Sequence, residues 1–279
     1  MSQKSYDESP SVYLIPTPIG NMEDITLRSI NILKQVEVIF SEDTRVTGLL
    51  LQQLEIKKKL ISSHNFNEEK NIDKMIKYLK DGYDVGIVTD RGTPIISDPG
   101  YSLVVGAINN GYNVIGLPGP TALIPALITS GISPMPFTFY GFLNNKDSKR
   151  RKELEKLKDL RPTMIFYESP KRLKSTLEDM KNILGNRKIS ISREISKKYE
   201  EIYRGTIDEI ILELEDPRGE FVIVVEGSTV EKEEFEESIY SHVNSLIEKG
   251  MSSKEAIKEV AHVRGLNKNA VYQEFIRGE

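Results

Sequence analysis

With 279 residues, a formal net charge of −4 and 38% hydrophobic residues, the chain has the length and composition of one large soluble domain or two of ordinary size. No apolar run approaches the roughly 18 residues that a membrane span needs, and the polar residues 1–11 indicate a disordered tail and not a signal peptide. The chain has no cysteine, which excludes disulfides and thiolate metal sites, and its three scattered histidines lack ligand spacing. We therefore expect a cytoplasmic protein without a bound metal.

The first half of the chain alternates predicted strands with predicted helices. Apolar runs rich in β-branched residues predict strands at 12–15, 36–40, 85–88 and 114–117. Segments with helical periodicity separate these runs, and Asp24 is expected to cap the first helix. Repeated strand–helix units are typical of a mostly parallel sheet with helices on both faces. We therefore predict an N-terminal α/β domain over 12–133.

Three loops rich in proline and glycine follow strands of this domain. They are Pro16–Asn21, Thr89–Pro94 and Pro118–Leu123, and a helical pattern begins after the second loop at Ser97–Gly100. Open α/β sheets bind ligands outside the carboxyl ends of their strands. The loops therefore predict a ligand site, although each of them alone is also compatible with a plain strand-to-helix turn.

Charged residues follow the second predicted strand. Glu42, Asp43 and Arg45 lie within four positions, and three charges at a strand end are costly to bury, so we expect them in a cleft or on the surface. The structural alternative is that Asp43 or Thr44 caps the next helix.

The pattern changes at 132–136, where we place a domain boundary. Strands are predicted at 137–142, 163–167, 189–192 and 221–225, with helices at 146–160 and from Lys171 onwards. These elements predict a second α/β domain over 134–230. After an acidic linker, a small helical tail is expected over 236–279, because Ser252–Glu255 is a capping box and Gly265–Asn267 forms a turn. The tail resembles a helix-turn-helix, and a helical hairpin that packs or dimerises is the alternative.

The charge is unevenly distributed. Between Asn144 and Gly205, Lys and Arg exceed Asp and Glu by eight, whereas the rest of the chain has a net charge of −12. A basic segment in an acidic protein is a weak indication of a polyanionic partner. A solvated helix face would account for it equally well.

Several of these motifs together resemble one known family. Tyr13–Asn21, Glu42–Arg45, Gly92–Gly100 and Pro118–Ala122 are similar to motifs of the tetrapyrrole-methylase superfamily. Tyr167–Arg172, Arg193–Lys197, Gly219-Glu220 and the helical tail resemble its branch of ribosomal small-subunit RNA cytidine-2′-O-methyltransferases. The resemblance extends from about Val12 to Phe275.

The resemblance implies two α/β domains of the tetrapyrrole-methylase type, with S-adenosylmethionine in the cleft between them, and a homodimer. It also implies small-subunit ribosomal RNA as the substrate, presented in an assembled subunit. The expected cofactor contacts are Pro18, Gly20, Asp90, Gly92, Thr93, Pro94, Pro118, Gly119, Thr121, Ala122 and Tyr167. The expected RNA contacts are Lys149, Arg150, Arg151, Lys152, Lys171, Arg172 and Arg193.

One residue departs from the family motif. Arg91 stands where the family has alanine, directly before Gly92. Burial of an unpaired cation would cost several kcal/mol. We therefore expect Arg91 to point away from the methyl donor.

Transfer of a methyl group to a ribose hydroxyl requires positioning of the reactants and a group that accepts the hydroxyl proton. The possible proton acceptors are Glu42, Asp43, Glu168, Glu194 and Lys197. Arg45 and Arg193 are better suited to bind phosphate. We predict Asp43, Arg45, Glu168 and Lys197 as the catalytic group. Two other functions stay open, namely methylation of a small tetrapyrrole, and RNA binding by an assembly factor whose cofactor pocket is vestigial.

Overall fold

The first half of the chain forms a five-stranded parallel sheet in the structure, a computed structural model that describes residues 3–5, 7–64, 67–214, 218–229 and 237–278. The strands are β1 (Ser11–Leu14), β2 (Val38–Ser41), β3 (Lys59–Ser62), β4 (Val85–Val88) and β5 (Asn113–Gly116). Their order across the sheet is β3-β2-β4-β1-β5. The helices are α1 (Leu27–Gln35), α2 (Thr44–Gln53), α3 (Glu68–Lys80), α4 (Tyr101–Asn109) and α5 (Leu123–Thr129).

Both faces of this sheet are covered, as the sequence predicts. Ile15 and Ile39 pack with Leu33 of α1 on one face, and Phe40 packs with Met75 and other residues of α3 and α4 on the opposite face. Successive strand residues point to opposite faces, so two covered faces require nearly continuous apolar runs. Because the strands are parallel, the loops after β1, β2, β4 and β5 emerge at the same edge.

The structure corrects several local predictions in this half. Thr26, and not Asp24, caps α1, because the Thr26 side chain accepts a hydrogen bond from Ser29 N. Residues 97–100 lie outside α4, which begins at Tyr101 after Gly100 with a φ of 122°. The segment 1–11, predicted to be disordered, contributes Ser11 to β1. In addition, the Gln3 amide forms hydrogen bonds of 2.8 and 3.0 Å with the backbone of Val114.

A second five-stranded sheet follows, and it is mixed. Its strands are β6 (Phe137–Phe142), β7 (Thr163–Glu168), β8 (Lys188–Arg193), β9 (Glu201–Thr206) and β10 (Phe221–Val225), with helices α6 (Asp147–Leu157), α7 (Pro170–Leu184) and α8 (Ile207–Glu213). The order is β6-β7-β10-β8-β9. Only β6 and β7 run parallel; the other neighbours are antiparallel. The sequence did not predict β3, β9 or α8.

The two sheets are connected through α5. One face of the second sheet packs against α6, α7 and α8. On the other face, Ala126 and Leu127 of α5 pack against Ile165, Val222 and Val224. Both sheets lie in one compact unit, Met1–Ser228. The domain bounds 12–133 and 134–230 stay a prediction, although the chain passes from one sheet to the other between Gly116 and Phe137.

The second compact unit is Thr229–Glu279, and its described residues form three helices. They are α9 (Ile239–Glu248), α10 (Ser253–Val263) and α11 (Lys268–Arg277). Val243, Val260 and Val271 form its core. The capping box at Ser252 is present as predicted, and residues 231–236 of the predicted acidic linker lie outside the described residues. Within the described ranges, no helix is long and apolar enough to cross a bilayer.

A candidate active site between the two sheets

A cavity of about 340 Å³ lies between the loops of the first sheet and the second sheet. Its apolar lining comes from Ile19, Ile96, Ala122, Phe142, Ile195, Phe221 and Val222. Its polar lining comes from Arg91, Thr93, Ser97, Asp98, Thr121, Tyr167, Glu168, Ser169 and Glu220. A concave, mostly apolar space with a few polar groups is typical of a small-molecule site.

Hydrogen bonds to backbone carbonyls tie the three predicted loops together beside this cavity. Thr17 and Gly92 exchange two hydrogen bonds of 3.0 Å, N–H to carbonyl in each direction. The Thr93 hydroxyl donates to the Pro120 carbonyl at 3.0 Å. The loops after β1, β4 and β5 thus form one structure, in agreement with the rule that parallel strands end at a common edge.

Gly92 allows the backbone to approach its neighbours at the cavity wall. Its φ is 83°, a conformation that favours glycine. A Cβ on Gly92 would lie 3.2 Å from Ile19 Cγ2 and 3.6 Å from the Pro120 carbonyl oxygen. A side chain at this position would therefore strain the loop and crowd the wall.

The structure brings only part of the predicted cofactor set to the cavity. Gly92, Thr93, Thr121, Ala122 and Tyr167 line it. The remaining predicted positions lie outside the lining; they are Pro18, Gly20, Asp90, Pro94, Pro118 and Gly119. Among these, the two glycines serve loop packing.

A Cβ on Gly20 would lie 2.4 Å from Lys197 Cγ, and one on Gly119 would lie 2.5 Å from Pro16 Cβ. Both distances are far below normal van der Waals contact. Glycine therefore permits close packing of the first loop against Lys197, after β8 of the second sheet, and of the Pro118 loop against the first loop.

Arg91 lines the cavity, and the expectation that it points away from the methyl donor stays a prediction. Its Nη1 lies 2.6 Å from Glu220 Oε1, and the other oxygen of Glu220 lies 3.0 Å from Lys197 Nζ. Lys197 Nζ also lies 2.9 Å from Glu194 Oε1. The argument for that expectation assumed an unpaired cation, whereas Arg91 is paired with Glu220 and the ion pairs join its loop to the second sheet.

Glu168 lines the cavity, but its carboxylate is already fully engaged. It accepts hydrogen bonds from Ser169 N at 2.7 Å, Thr176 Oγ1 at 2.7 Å and Arg172 Nη2 at 3.1 Å. Arg172 also donates to the Leu143 carbonyl at 2.7 Å. This arrangement fixes the start of α7 and leaves the Glu168 carboxylate neutralised by Arg172.

Asp43 and Arg45 lie outside the cavity lining. Asp43 is the N-cap of α2, as in the structural alternative. Arg45 Nη2 lies 2.5 Å from Asp43 Oδ2, and the Arg45 side chain is 88% exposed. The hydrogen bond from Arg45 lowers the pKa of Asp43 to about 2. Such a carboxylate is a poor proton acceptor at neutral pH.

Asp98 is a titratable residue of the cavity that was not predicted from the sequence as a site residue. It lines the cavity, and burial raises its pKa to about 6, assisted by the negative charges of Glu42 and Asp90. Burial also raises the pKa of Tyr167, which faces the same space. The Ser-Asp-Pro-Gly sequence around Asp98 is typical of a helix start, so only the fold reveals its position.

The basic segment on α6 and α7 is only partly exposed. Arg150, predicted to contact RNA, is 2% exposed. It lies between Asp147 and Asp179, with Nη2 at 3.0 Å and 2.6 Å from their carboxylates. This prediction is corrected, because a guanidinium that joins α6 to α7 from within cannot reach a phosphate. Arg151 also pairs with Asp179, at 2.8 Å, but its side chain is 60% exposed.

The other predicted RNA contacts lie at the surface or near it. Lys149, Lys152 and Lys171 are exposed. Arg193 is half-buried and donates to the Arg218 carbonyl at 2.7 Å. In the part of the chain that the structure covers, no cluster of three or more His, Asp or Glu side chains could hold a metal ion.

Comparison with known proteins assigns this architecture to a family. A profile of the Tetrapyrrole (Corrin/Porphyrin) Methylases matches residues 11–211. A Bacillus subtilis protein called Ribosomal RNA small subunit methyltransferase I is 47% identical over 99% of this chain and 97% of the relative. A protein of the same name from Halalkalibacterium halodurans is 46% identical over 97% of this chain and 97% of the relative. Another, from Streptococcus pyogenes, is 41% identical over 98% of this chain and 98% of the relative.

Solved structures share the fold at lower identity. The methyltransferase CobJ has a TM-score of 0.58 at 19% identity, covering 80% of this chain and 96% of its own. Uroporphyrin-III-C-methyltransferase from Thermus thermophilus has a TM-score of 0.54 at 19% identity, covering 77% and 94%. The chain belongs to the tetrapyrrole methylase family and, within it, to the family of ribosomal RNA small subunit methyltransferase I.

Proposed function

We propose that the protein transfers the methyl group of S-adenosylmethionine to the 2′-oxygen of a cytidine in small-subunit ribosomal RNA. The observation that carries the proposal is the cavity between the two sheets, in a chain 47% identical over nearly its whole length to a protein named for this substrate. The 2′-O-cytidine specificity rests on the motifs at Tyr167–Arg172 and Arg193–Lys197.

The residues of the cavity fit S-adenosylmethionine. Its volume is within the range of small-molecule pockets. The rings of Phe142 and Tyr167 in the lining suit a sulfonium cation. Gly92 leaves one wall open to backbone contact. When bound there, the cofactor supplies an electrophilic methyl group, and the surrounding residues orient it and exclude water.

Exposed lysines on α6 and α7 support an RNA substrate. Lys149 and Lys152 lie in the first two turns of α6, and Lys171 lies in the first turn of α7. Helix α7 begins directly after Glu168 and Ser169 of the lining. Phosphate contacts of this kind position a nucleic acid without reading its sequence. Arg150 takes no part in this set.

We infer further that the protein is a homodimer, acts on an assembled small subunit and is cytoplasmic. Exposed apolar side chains support the dimer: Ile128 on α5 is 69% exposed and Met135 is 70% exposed. Cytoplasmic location follows from a ribosomal substrate.

The test combines purified protein, labelled S-adenosylmethionine and small subunits that lack the modification. The expected product is 2′-O-methylcytidine, identified by nucleoside mass spectrometry. Label on a base nitrogen, or on a tetrapyrrole and not on RNA, would refute the proposal. A protein that binds RNA but shows no saturable binding of S-adenosylmethionine in calorimetry would be an assembly factor.

The RNA surface is tested by changing Lys149, Lys152 and Lys171 to Glu together. We expect weaker RNA binding and a flatter dependence on salt, because fewer counterions are released. Cofactor affinity should be unchanged. The matched control changes three exposed lysines elsewhere in the first unit: Lys57, Lys70 and Lys77. Equal loss in both variants would show only a general charge effect.

A further inference from the structure

Three carboxylates line the cavity, and two of them have cationic partners. Glu168 is paired with Arg172, and Glu220 is paired with Arg91 and Lys197. Asp98 is the third. Among the described residues, no Lys or Arg forms an ion pair with Asp98. Its negative charge is therefore available to a ligand.

The surroundings of Asp98 hold it close to protonation. The neighbouring Thr89 hydroxyl lowers its pKa, and the charged groups that act on it are Glu42, at the end of β2, and Asp90, at the end of β4. Tyr167 faces it from β7. Burial and these two carboxylates raise the pKa of Asp98 to about 6. At neutral pH the group is therefore ionised but needs little driving force to take up a proton, as an effective general base requires.

Thr89 connects Asp98 to a second carboxylate. The Thr89 hydroxyl donates to Glu42 Oε2 at 2.8 Å and lies beside the Asp98 carboxylate, whose pKa it lowers. A hydroxyl has one proton to donate and accepts through its lone pairs. Once Asp98 is protonated, it can donate to Thr89 Oγ1 while Thr89 donates to Glu42. The cavity is thereby linked to a carboxylate outside its lining.

The other possible proton acceptors are less suitable. Asp43 is held by Arg45 outside the cavity, and Glu194 and Lys197 form an ion pair with each other outside the lining. Glu168 is neutralised by Arg172. Of the carboxylates and the lysine considered from the sequence, none combines access to the cavity with an unneutralised charge.

We propose that the Asp98 carboxylate is the general base that accepts the 2′-hydroxyl proton of the ribose, with Thr89 and Glu42 as the path by which the proton leaves. The inference rests on the proposed function. The ribose oxygen forms its bond to the methyl carbon as the sulfur–carbon bond breaks, the electron pair of that bond stays on sulfur, and the hydroxyl proton goes to Asp98 Oδ. No further reactant is needed.

The test compares wild type with Asp98→Asn in single-turnover methylation between pH 5 and 8.5. We expect the wild-type rate to rise with pH through a midpoint near pH 6. The variant should be slower by about 10²–10⁴-fold, and its rate should not show this rise with pH. Calorimetry should give cofactor affinities within about threefold of each other. Asp73→Asn, on the exposed side of α3, is the matched control and should behave as wild type.

A second readout needs neither substrate nor cofactor. In protein with ¹³C-labelled aspartate side chains, one carboxyl should titrate near pH 6, and its signal should be missing in Asp98→Asn. Should that variant fail to fold, Asp98→Glu removes the same aspartate signal and keeps a carboxylate. A wild type without such a carboxyl, or without an inflection near pH 6 in its rate, overturns the inference.

Two further outcomes would also overturn it. A rate of Asp98→Asn within tenfold of wild type would exclude a general base. A loss of cofactor affinity as large as the loss of rate would make Asp98 a cofactor contact. If wild type itself makes no methylated RNA, the proposed function fails; if wild type is active and one of these outcomes appears, only the role of Asp98 fails.

Discussion

Glu68 is predicted to hold the loop that carries Asp98, although it belongs to another element. It is the first residue of α3 and is buried. Its carboxylate accepts a hydrogen bond from Gly100 N and another, of 3.1 Å, from Ser102 N. These amides lie at the start of α4, where Gly100 provides no side-chain cap. The carboxylate thus replaces a cap and complements the positive end of the helix.

Glu68→Ala leaves both amides without their acceptor. A buried donor that loses its partner costs about 1–3 kcal/mol, and the charge–helix interaction adds about 0.3–1 kcal/mol. Because Gly100 is buried and Ser102 only partly so, we expect a total loss of about 3 kcal/mol in the free energy of unfolding. In a unit of this size, that corresponds to roughly 6–12 °C in Tm. Glu68→Gln should lose less, since its amide oxygen still accepts one bond.

Urea unfolding measures the loss as a lower midpoint at an unchanged slope. Glu69→Ala is the matched control, because Glu69 is the exposed neighbour in the same helical turn. Amide hydrogen exchange at Gly100 and Ser102 reports the two bonds directly, and their protection should fall selectively in Glu68→Ala. The reasoning is refuted if both alanine variants lose equal stability, or if exchange at these two amides does not change.

Three other variants test the structure. Arg150→Met should lower the free energy of unfolding by about 3 kcal/mol, because it removes a buried cation from an ion-pair cluster; Arg151→Met, which changes an exposed member, should lose much less in the same urea titration. Arg91→Ala should change cofactor affinity in calorimetry by less than tenfold, or about 1.4 kcal/mol, since the pair with Glu220 is more than half exposed. Asp98→Asn should be more stable than wild type at pH 8, by about 1 kcal/mol after allowance for partial exposure, because the raised pKa means that ionisation of Asp98 opposes folding. This advantage should disappear below about pH 4, where Asp98 is protonated in both the folded and the unfolded chain; an unchanged difference across this range would contradict the assigned pKa.

The sequence predicted those parts of the fold that depend on local patterns. The strand at Phe221–Val225 was predicted with its observed bounds, because five consecutive apolar residues are typical of a fully buried strand. The meeting of the loops at Thr17, Gly92 and Pro120 was also predictable, since parallel strands end at one edge of a sheet. By contrast, β3 (Lys59–Ser62) and β9 (Glu201–Thr206) are half-exposed and contain several polar residues. They are strands because their backbones pair with β2 and β8, and their side chains show no apolar pattern that would predict this.

The candidate site depended more on tertiary structure. Burial of Arg150 requires Asp179, 29 residues away, to lie opposite it on α7, and a charge pattern along α6 cannot show this. In the same way, Asp98 acquires its raised pKa from burial and from Glu42 and Asp90, which approach it because β2 and β4 are neighbours. Long-range contacts of this kind leave no trace in the local sequence around each residue.

The strand order of the first sheet also constrains how the chain folds during synthesis. β1 lies between β4 and β5, yet it ends at Leu14 whereas β4 begins at Val85. At about 5–20 residues per second, a ribosome needs roughly 4–14 s to make the segment between them. Throughout this interval the apolar Val12–Leu14 lacks both of its neighbours in the sheet. Nascent chains stalled before β4 should therefore bind chaperones through β1, and release should follow once β5 has emerged.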